Sequence, residues 1–239
     1  MRGSLASEGN LQAMKTILTT LRHPSMLWLD VQPKNPGTIM CARPRSDEKA
    51  QAILQAARAC LGERGYAATT IAEIATQAGV SRGLLHYYFK SKEELLAQVV
   101  RAGTDTYVVL LDAMFAKSEN AGDLAQGLVA AVRAIVESDP TFVNLSMECW
   151  TLAHESPLVA RELVDLYRQL RDAIREGLQE AADRDIIQPV IPLDALAALL
   201  LALTDGLVMQ FLIHPELAAD ETIWAGLGMA ARSLLGDGA

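Results

Sequence analysis

The stretch Thr69–Glu94, TTIAEIATQAGVSRGLLHYYFKSKEE, decides how the rest of the chain is read. Thr70-Ile-Ala-Glu73 has the spacing of a capping box. A Thr hydroxyl takes one of the orphan N–H groups at a helix start, and a Glu three residues on reaches back for another. Gly79 ends that first helix, since glycine enters the left-handed region without a Cβ penalty. Ser81 is placed to cap a second helix, and Ser91-Lys-Glu-Glu94 repeats the capping-box pattern for a third. Two short helices around a glycine turn form a helix-turn-helix, which can lay its second helix in the major groove of DNA.

The residue types support that geometry. Ile71, Ile74, Ala78, Val80, Leu85 and Tyr88 form an inward set, with the small Ala75 expected where the two helices cross. The remaining face of the second helix carries Ser81, Arg82, Gly83, His86 and Tyr87. Arg82 suits a guanine edge, His86 a base edge or phosphate, and Tyr87 a phosphate, a sugar or a thymine methyl. Lys90, Lys92 and the hydroxyls of Thr69 and Thr70 sit at helix ends, where phosphate oxygens are expected.

Around this stretch the chain resembles the TetR family of bacterial transcriptional regulators. The resemblance is closest over Arg45–Arg101 and is carried by GYAATTIAEIATQAGVSRGLLHYYFKSKEEL. It implies that Thr70, Arg82, Gly83, Leu84, His86, Tyr87, Lys90 and Lys92 line the DNA face. His86 stands where tyrosine is frequent in the family. The resemblance further implies an effector-binding and dimerisation domain after the DNA-binding one.

Charge is divided along the chain. The 239 residues carry a formal net charge of −8, which by itself argues against a nucleic-acid partner. Residues 43–102 hold nine Lys/Arg against six Asp/Glu, whereas residues 103–239 hold 8 against 21. A basic module followed by an acidic body predicts one part that faces phosphate and one that does not. The division expected is 43–102 for DNA binding and 103–239 for a helical effector-binding and dimerisation domain. Residues 1–42, interrupted by Pro24, Pro33, Pro36 and Gly37, are expected to be a disordered extension or the product of a mis-assigned start. Met40 is an alternative first residue, and a short helix over Leu11–Leu21 is the only periodic segment there.

The fold class expected is all-α. Hydrophobic residues make up 51% of the chain and aromatics only 5%, a mixture that favours packed helices. The stripe Ile53, Ala56/Ala57, Cys60, Leu61 predicts a helix ending at Gly62–Gly65, and the helix opened at Ser91 is expected to run to about Ala102. Further helices are expected over Thr104–Lys117, Asp123–Ser138, Thr141–His154, Pro157–Ala182, Leu193–Ile213 and Glu221–Leu234. Ser156-Pro157 supplies a cap followed by proline at the first helical position.

The last two helices are the expected dimer seam, through Leu196, Leu199, Leu203, Gly206, Leu207, Trp224 and Leu227. Small neighbours at Ala195, Ala198 and Ala202 permit close helix approach. Ala195–Ile213 also passes as a membrane look-alike, but Asp205 at its middle is costly in lipid, so a soluble interface is the reading taken. Effector-pocket candidates are Tyr107, Phe115, Asn144, Met147, Trp150, His154 and Tyr167. A mixed apolar pocket of this kind suits a drug-like or lipophilic molecule, and Glu148 or Asp112 would favour a cationic one.

Other classes find little support. His23, His86, His154 and His214 are scattered, and HExxH, GxSxG and P-loop patterns are absent. The three cysteines (Cys41, Cys60, Cys149) have no CxxC spacing. No catalytic set, metal or cofactor is therefore expected. The first 30 residues lack the apolar run of a secretory signal, so the cytoplasm is the expected compartment. The partners expected are a double-stranded DNA operator, a small-molecule effector and a second copy of the chain. A helix-turn-helix acting through a protein partner is the alternative, with a helical-bundle enzyme behind it.

Overall fold

The computed structural model describes residues 44–236. The expectations for residues 1–42, including the Leu11–Leu21 helix, the Met40 start and Cys41, lie outside the described residues. Among the described residues the fold is all-α: α1 (Pro44–Ala68), α2 (Ile71–Gln77), α3 (Arg82–Tyr88), α4 (Lys92–Lys117), α5 (Ala121–Ser138), α6 (Pro140–Ala153), α7 (Pro157–Asp183), α8 (Leu193–Ile213), a 3-10 turn (Pro215–Ala219) and α9 (Glu221–Leu235). The predicted helices recur within one or two residues, with two exceptions. The first helix is expected to end at Gly62–Gly65, whereas α1 runs on to Ala68 across a kink at Gly65 (φ 74°). Those expected on either side of Gly103 are a single helix, α4. Gly103 is no break because the Phe142 ring occupies the space its side chain would fill. The glycine answers to packing, which a sequence pattern cannot distinguish from a helix stop.

The described chain packs as two units. One comprises residues 44–106 and 141–167, and the other residues 107–140 and 168–236. In the first unit, Ile53, Ala57 and Leu61 of α1, Ile74 of α2, Leu85 of α3 and Leu95, Leu96 and Val99 of α4 are all essentially without solvent exposure. Burying each such Leu or Ile is worth about 1.5–3 kcal/mol, enough to hold short helices that would not persist alone. Within the same unit, Thr141 of α6 lies against Gly62 of α1, where an added Cβ would meet its Cγ2 at 2.7 Å. Arg101 of α4 donates to Glu162 of α7 at 2.6 and 3.1 Å.

The second unit has its own core, built from Phe115, Leu124, Leu128, Val132, Ile174, Leu178, Leu196, Ala197, Leu200, Phe211, Trp224, Leu227 and Ala231. The Trp224 indole N–H donates to the Ala218 carbonyl at 2.8 Å, and the Arg133 guanidinium lies 4.8 Å from the ring centroid. Arg133 also bonds Glu221 at 2.7 Å, so α5 and the start of α9 are held by both charge and ring. The Arg184 guanidinium donates to the Phe115 and Ser118 carbonyls at 3.2 and 2.8 Å, closing the end of α4. The helix end at α7 is a Schellman turn: Ile186 N–H donates to Ala181 and Asp185 N–H to Ala182. Asp185 takes the left-handed position at φ 61°, where glycine is usual.

Helix α8 is long and apolar enough to cross a membrane. Its face with Leu196, Ala197, Leu200 and Phe211 is packed into the core of its own unit. The opposite face, at Ala195, Ala198, Leu199, Ala202, Gly206, Met209, Leu212 and Ile213, is exposed. Both faces are apolar and only one is covered within the chain.

Candidate nucleic-acid interface

The helix-turn-helix is assembled by caps that match the residue types. The Thr70 hydroxyl accepts from Glu73 N–H at 3.3 Å, and the Glu73 carboxylate accepts from Thr70 N–H at 2.9 Å. Those bonds, with Arg64 in contact with the same carboxylate, hold Glu73 below the usual Glu range. At the far end of α2, Val80 N–H donates to Ala75 at 3.0 Å and Gly79 N–H to Thr76 at 3.1 Å. This is a full Schellman turn with Gly79 at φ 64°, and no atom lies within 4 Å of where its Cβ would be. Backbone conformation, not space, requires glycine there. Ser81 then caps α3 by accepting from Leu84 N–H at 3.1 Å. The second capping box forms in altered shape. Ser91 accepts from Glu94 N–H at 3.2 Å, but Glu94 reaches back to the amide of Lys90 at 2.6 Å instead of that of Ser91.

With Leu85 fully buried and Phe89 nearly so, α3 turns one face outward. Ser81, Arg82, Gly83, His86 and Tyr87 are all exposed, and Lys90 follows just beyond the helix end. Tyr87 is the extreme case, 72% exposed, set edge-on to Tyr88 with ring centroids 5.2 Å apart. A large aromatic held out in water, beside an arginine and a histidine, forms an amphipathic surface suited to a sugar or base. The Lys90 ammonium lies 3.3 Å from the carbonyls of both His86 and Tyr87, which puts a positive charge at the C-terminal end of α3. Leu84 is half-buried beside this face.

Two residues expected at phosphate are engaged within the chain. Thr69 is 1% exposed, and its hydroxyl donates inward to the carbonyls of Cys60 and Gly65 at 3.0 and 2.8 Å. It is a core hydroxyl that closes the end of α1. The Lys92 ammonium is likewise turned inward, onto the carbonyls of Tyr66 and Thr69 at 2.6 and 2.9 Å. Thr70 keeps an exposed position, but its hydroxyl is engaged with Glu73. Tyr66 is the residue the sequence reading passed over. Its ring lies 4.1 Å from the Lys92 ammonium, and burial, then a hydrogen bond to Glu93, push its phenol well above the ordinary range. Its nearness in sequence to Gly65 was the available signal.

The dimer-seam residues divide. Leu196, Trp224 and Leu227 are core residues of their own unit, and Leu203 and Leu207 pack partly against it. Leu199, 45% exposed, and Gly206 lie on the open face of α8. Because α8 is apolar on both faces, periodicity could not say which one turns inward. Met209, Ile213 and Met229, not among the expected seam residues, are exposed at 45%, 68% and 69%.

The effector-pocket candidates are shared between the two units. Tyr107 and Phe115 belong to one unit, and Asn144, Met147, Trp150, His154 and Tyr167 to the other. Tyr107 donates to Asp139 at 3.2 Å, and Phe115 is core, packed against Gly177. Asn144, Trp150 and His154 are exposed. Trp150 and Tyr167 do meet, edge-on at 5.5 Å between centroids, with Met147 half-buried on the same helix. Cys149 beside them is buried, and desolvation pushes its thiol up to about 12. Among the described residues no group of His, Cys, Asp and Glu is arranged to hold a metal ion.

Comparison with known proteins agrees with this geometry. Residues 53–99 match the family model "Bacterial regulatory proteins, tetR family". Residues 121–236 match that of the "BetI-type transcriptional repressor, C-terminal". The chain is 24% identical over 193 residues to the uncharacterized HTH-type transcriptional regulator YfiR of Bacillus subtilis, covering 81% of this chain and 93% of that one. It is 33% identical over 138 residues to the HTH-type transcriptional regulator BetI of Rhizobium meliloti, covering 56% and 66%. The fold is shared with the transcriptional regulator FadR from Bacillus subtilis in complex with stearoyl-CoA, at a TM-score of 0.61 and 17% identity over 77% of this chain and 96% of that one. With a capped helix-turn-helix and both segments matched, the chain belongs to the tetR family of bacterial regulatory proteins and is a DNA-binding transcriptional regulator.

Proposed function

We propose that the chain is a homodimeric repressor that holds a near-palindromic operator through α3 and releases it on binding a small molecule. The observation that carries this reading is the outward face of α3, where Arg82, Gly83, His86 and Tyr87 are exposed together on a helix fixed by caps at both ends. Arg82, His86 and Tyr87 are the proposed base and sugar contacts, Lys90 the phosphate contact. Residues 43–102 are assigned to DNA binding and 103–239 to effector binding and dimerisation.

A second copy supplies the second recognition helix, about one DNA turn (~34 Å) from the first. The exposed apolar faces of α8 and α9, at Leu199, Gly206, Met209, Ile213 and Met229, are the proposed seam. An open face of this kind in a water-soluble chain is normally covered by protein. Asp205 at the middle of α8 and the core packing of its other face argue for a protein partner over lipid. No membrane partner, catalytic role or cofactor is proposed, and the cytoplasm is the compartment where DNA is met.

For the effector we favour a lipophilic or drug-like molecule. The structurally similar FadR is in complex with stearoyl-CoA, and the Trp150–Tyr167 pair with Met147 offers apolar, polarizable surface. An effector that binds better to a conformation with the wrong spacing of recognition helices shifts the population off DNA.

The testing experiment is operator binding by wild type, Arg82→Gln and Tyr87→Ala over a range of salt. Loss of saturable, salt-sensitive binding in the variants supports the reading. Full binding by both variants overturns it. Candidate ligands that never change operator affinity overturn the switch alone.

A further inference from the structure

The two ends of the helix-turn-helix are residues 69 and 92, and one side chain ties them. The Lys92 ammonium, at the start of α4, donates to the Thr69 carbonyl at 2.9 Å and to the Tyr66 carbonyl at 2.6 Å. Its remaining side faces the Tyr66 ring, 4.1 Å from the centroid. An ammonium has three donors and no acceptor, and here two are on carbonyls while the charge rests on a ring face. We propose that Lys92 is a positioning residue for DNA binding, a clamp that closes residues 69–92 into a fixed loop, and not a ligand to phosphate. The inference rests on the DNA-binding reading given above.

The surroundings are built for this. The carbonyls at the end of α1 lack helical partners, and Gly65, at φ 74°, breaks α1 just before Tyr66. Lys92 supplies partners for two of those carbonyls, as a cation at a helix C-terminus does. The Thr69 hydroxyl fixes the same turn from inside through Cys60 and Gly65. The Tyr66 ring is thus held against the ammonium of a residue 26 positions away. Between these ends lie α2 and α3, each only 7 residues long. Helices that short have no stability of their own, so the direction of Arg82 and Tyr87 depends on where residues 69 and 92 are held. Lys90 differs: it is exposed, and its contacts are longer, at 3.3 Å.

Salt dependence separates the two roles. A lysine that neutralises one phosphate contributes about 0.9 to the slope of log affinity against log salt. A clamp contributes nothing to that slope. The expected result for Lys92→Met is an operator affinity lower by about tenfold or more at every salt concentration, with the slope unchanged. Amide exchange over residues 81–89 is expected to accelerate while that of α8 and α9 stays as in wild type. A slope lower by about 0.9, or unchanged affinity, overturns the clamp.

Wild-type protein gives a second reading that does not require the variant to fold. Its lysines are acylated with an N-hydroxysuccinimide ester, with and without operator DNA, and quantified by peptide mass spectrometry. The clamp predicts that Lys92 reacts slowly in the free chain and no differently with DNA, whereas Lys90 reacts quickly and is protected by DNA. Fast labelling of Lys92 in the free chain, or its protection by DNA, overturns the proposal. If wild type binds no DNA site, the functional reading fails, and labelling of the free chain still decides the clamp.

Discussion

Replacing Gly83 with alanine is expected to strengthen the fold and weaken DNA binding. Gly83 is the second residue of α3 and is exposed. Its φ is not positive. A Cβ there would meet nothing nearer than the Ser81 hydroxyl at 3.9 Å, an ordinary contact. Nothing inside the chain therefore calls for glycine. In a helix interior glycine is about 0.8–1.0 kcal/mol worse than alanine, and in the first turn roughly half that. Gly83→Ala should raise the melting temperature by about 1–2 °C for a chain of this size. If the DNA edge approaches as closely as the open backbone allows, the added methyl acts as overpacking, at about 1–3 kcal/mol per recognition helix. That is roughly a 5- to 150-fold loss of affinity for one helix, squared for a symmetric dimer. Thermal melts followed by circular dichroism and operator titrations by fluorescence anisotropy measure the two effects separately. A variant that melts higher and binds the operator as tightly as wild type would refute the placement of this face against DNA.

Other outcomes follow from the same structure. Thr70→Ala removes the cap of α2 and should cost about 1 kcal/mol, read in a denaturant melt. Glu73 has a folded pKa below its unfolded one, so its contribution is complete above the ordinary Glu range and lost as pH falls through the lowered value. The stability gap between wild type and Glu73→Gln should therefore close on acidification. Asp185→Gly relieves the left-handed residue at φ 61° and should stabilise by about 0.5–1 kcal/mol. Leu199→Glu should dissociate the dimer in sedimentation with little effect on the fold, whereas Trp224→Ala, in the core, should cost about 3–5 kcal/mol of stability. The buried thiols Cys60 and Cys149, both pushed upward by desolvation, should resist iodoacetamide at neutral pH until the chain is unfolded.

The parts legible in the sequence are those governed by neighbours along the chain. The Thr70 and Ser81 caps, the Gly79 turn and the boundaries of α8 depend on residues within four positions, so spacing found them. What escaped depends on residues far apart. Thr69 looked like a helix-end hydroxyl until the Cys60 carbonyl, beyond the reach of local spacing, was seen to take it inward. Lys92 looked like a surface cation until the 23 and 26 residues separating it from Thr69 and Tyr66 were closed by the fold. Gly103 looked like a break because Phe142 could not be anticipated beside it. For α8 the difficulty was chemical: with apolar residues all round, Leu196 and Leu199 are equivalent in pattern, and only packing turned the first inward and the second out. Phe115 shows a related difficulty. Aromatic and Met residues at helical spacing suit a core as well as a pocket, and Phe115 was core.

The most direct test of the central claim is footprinting of the purified protein on genomic DNA. A protected site is expected, with two related half-sites whose centres lie about one helical turn, or a multiple of it, apart. Protection should disappear when Arg82 and Tyr87 are replaced together. Absence of any sequence-specific protection at concentrations where the protein is dimeric, or protection that survives that double replacement, would contradict it.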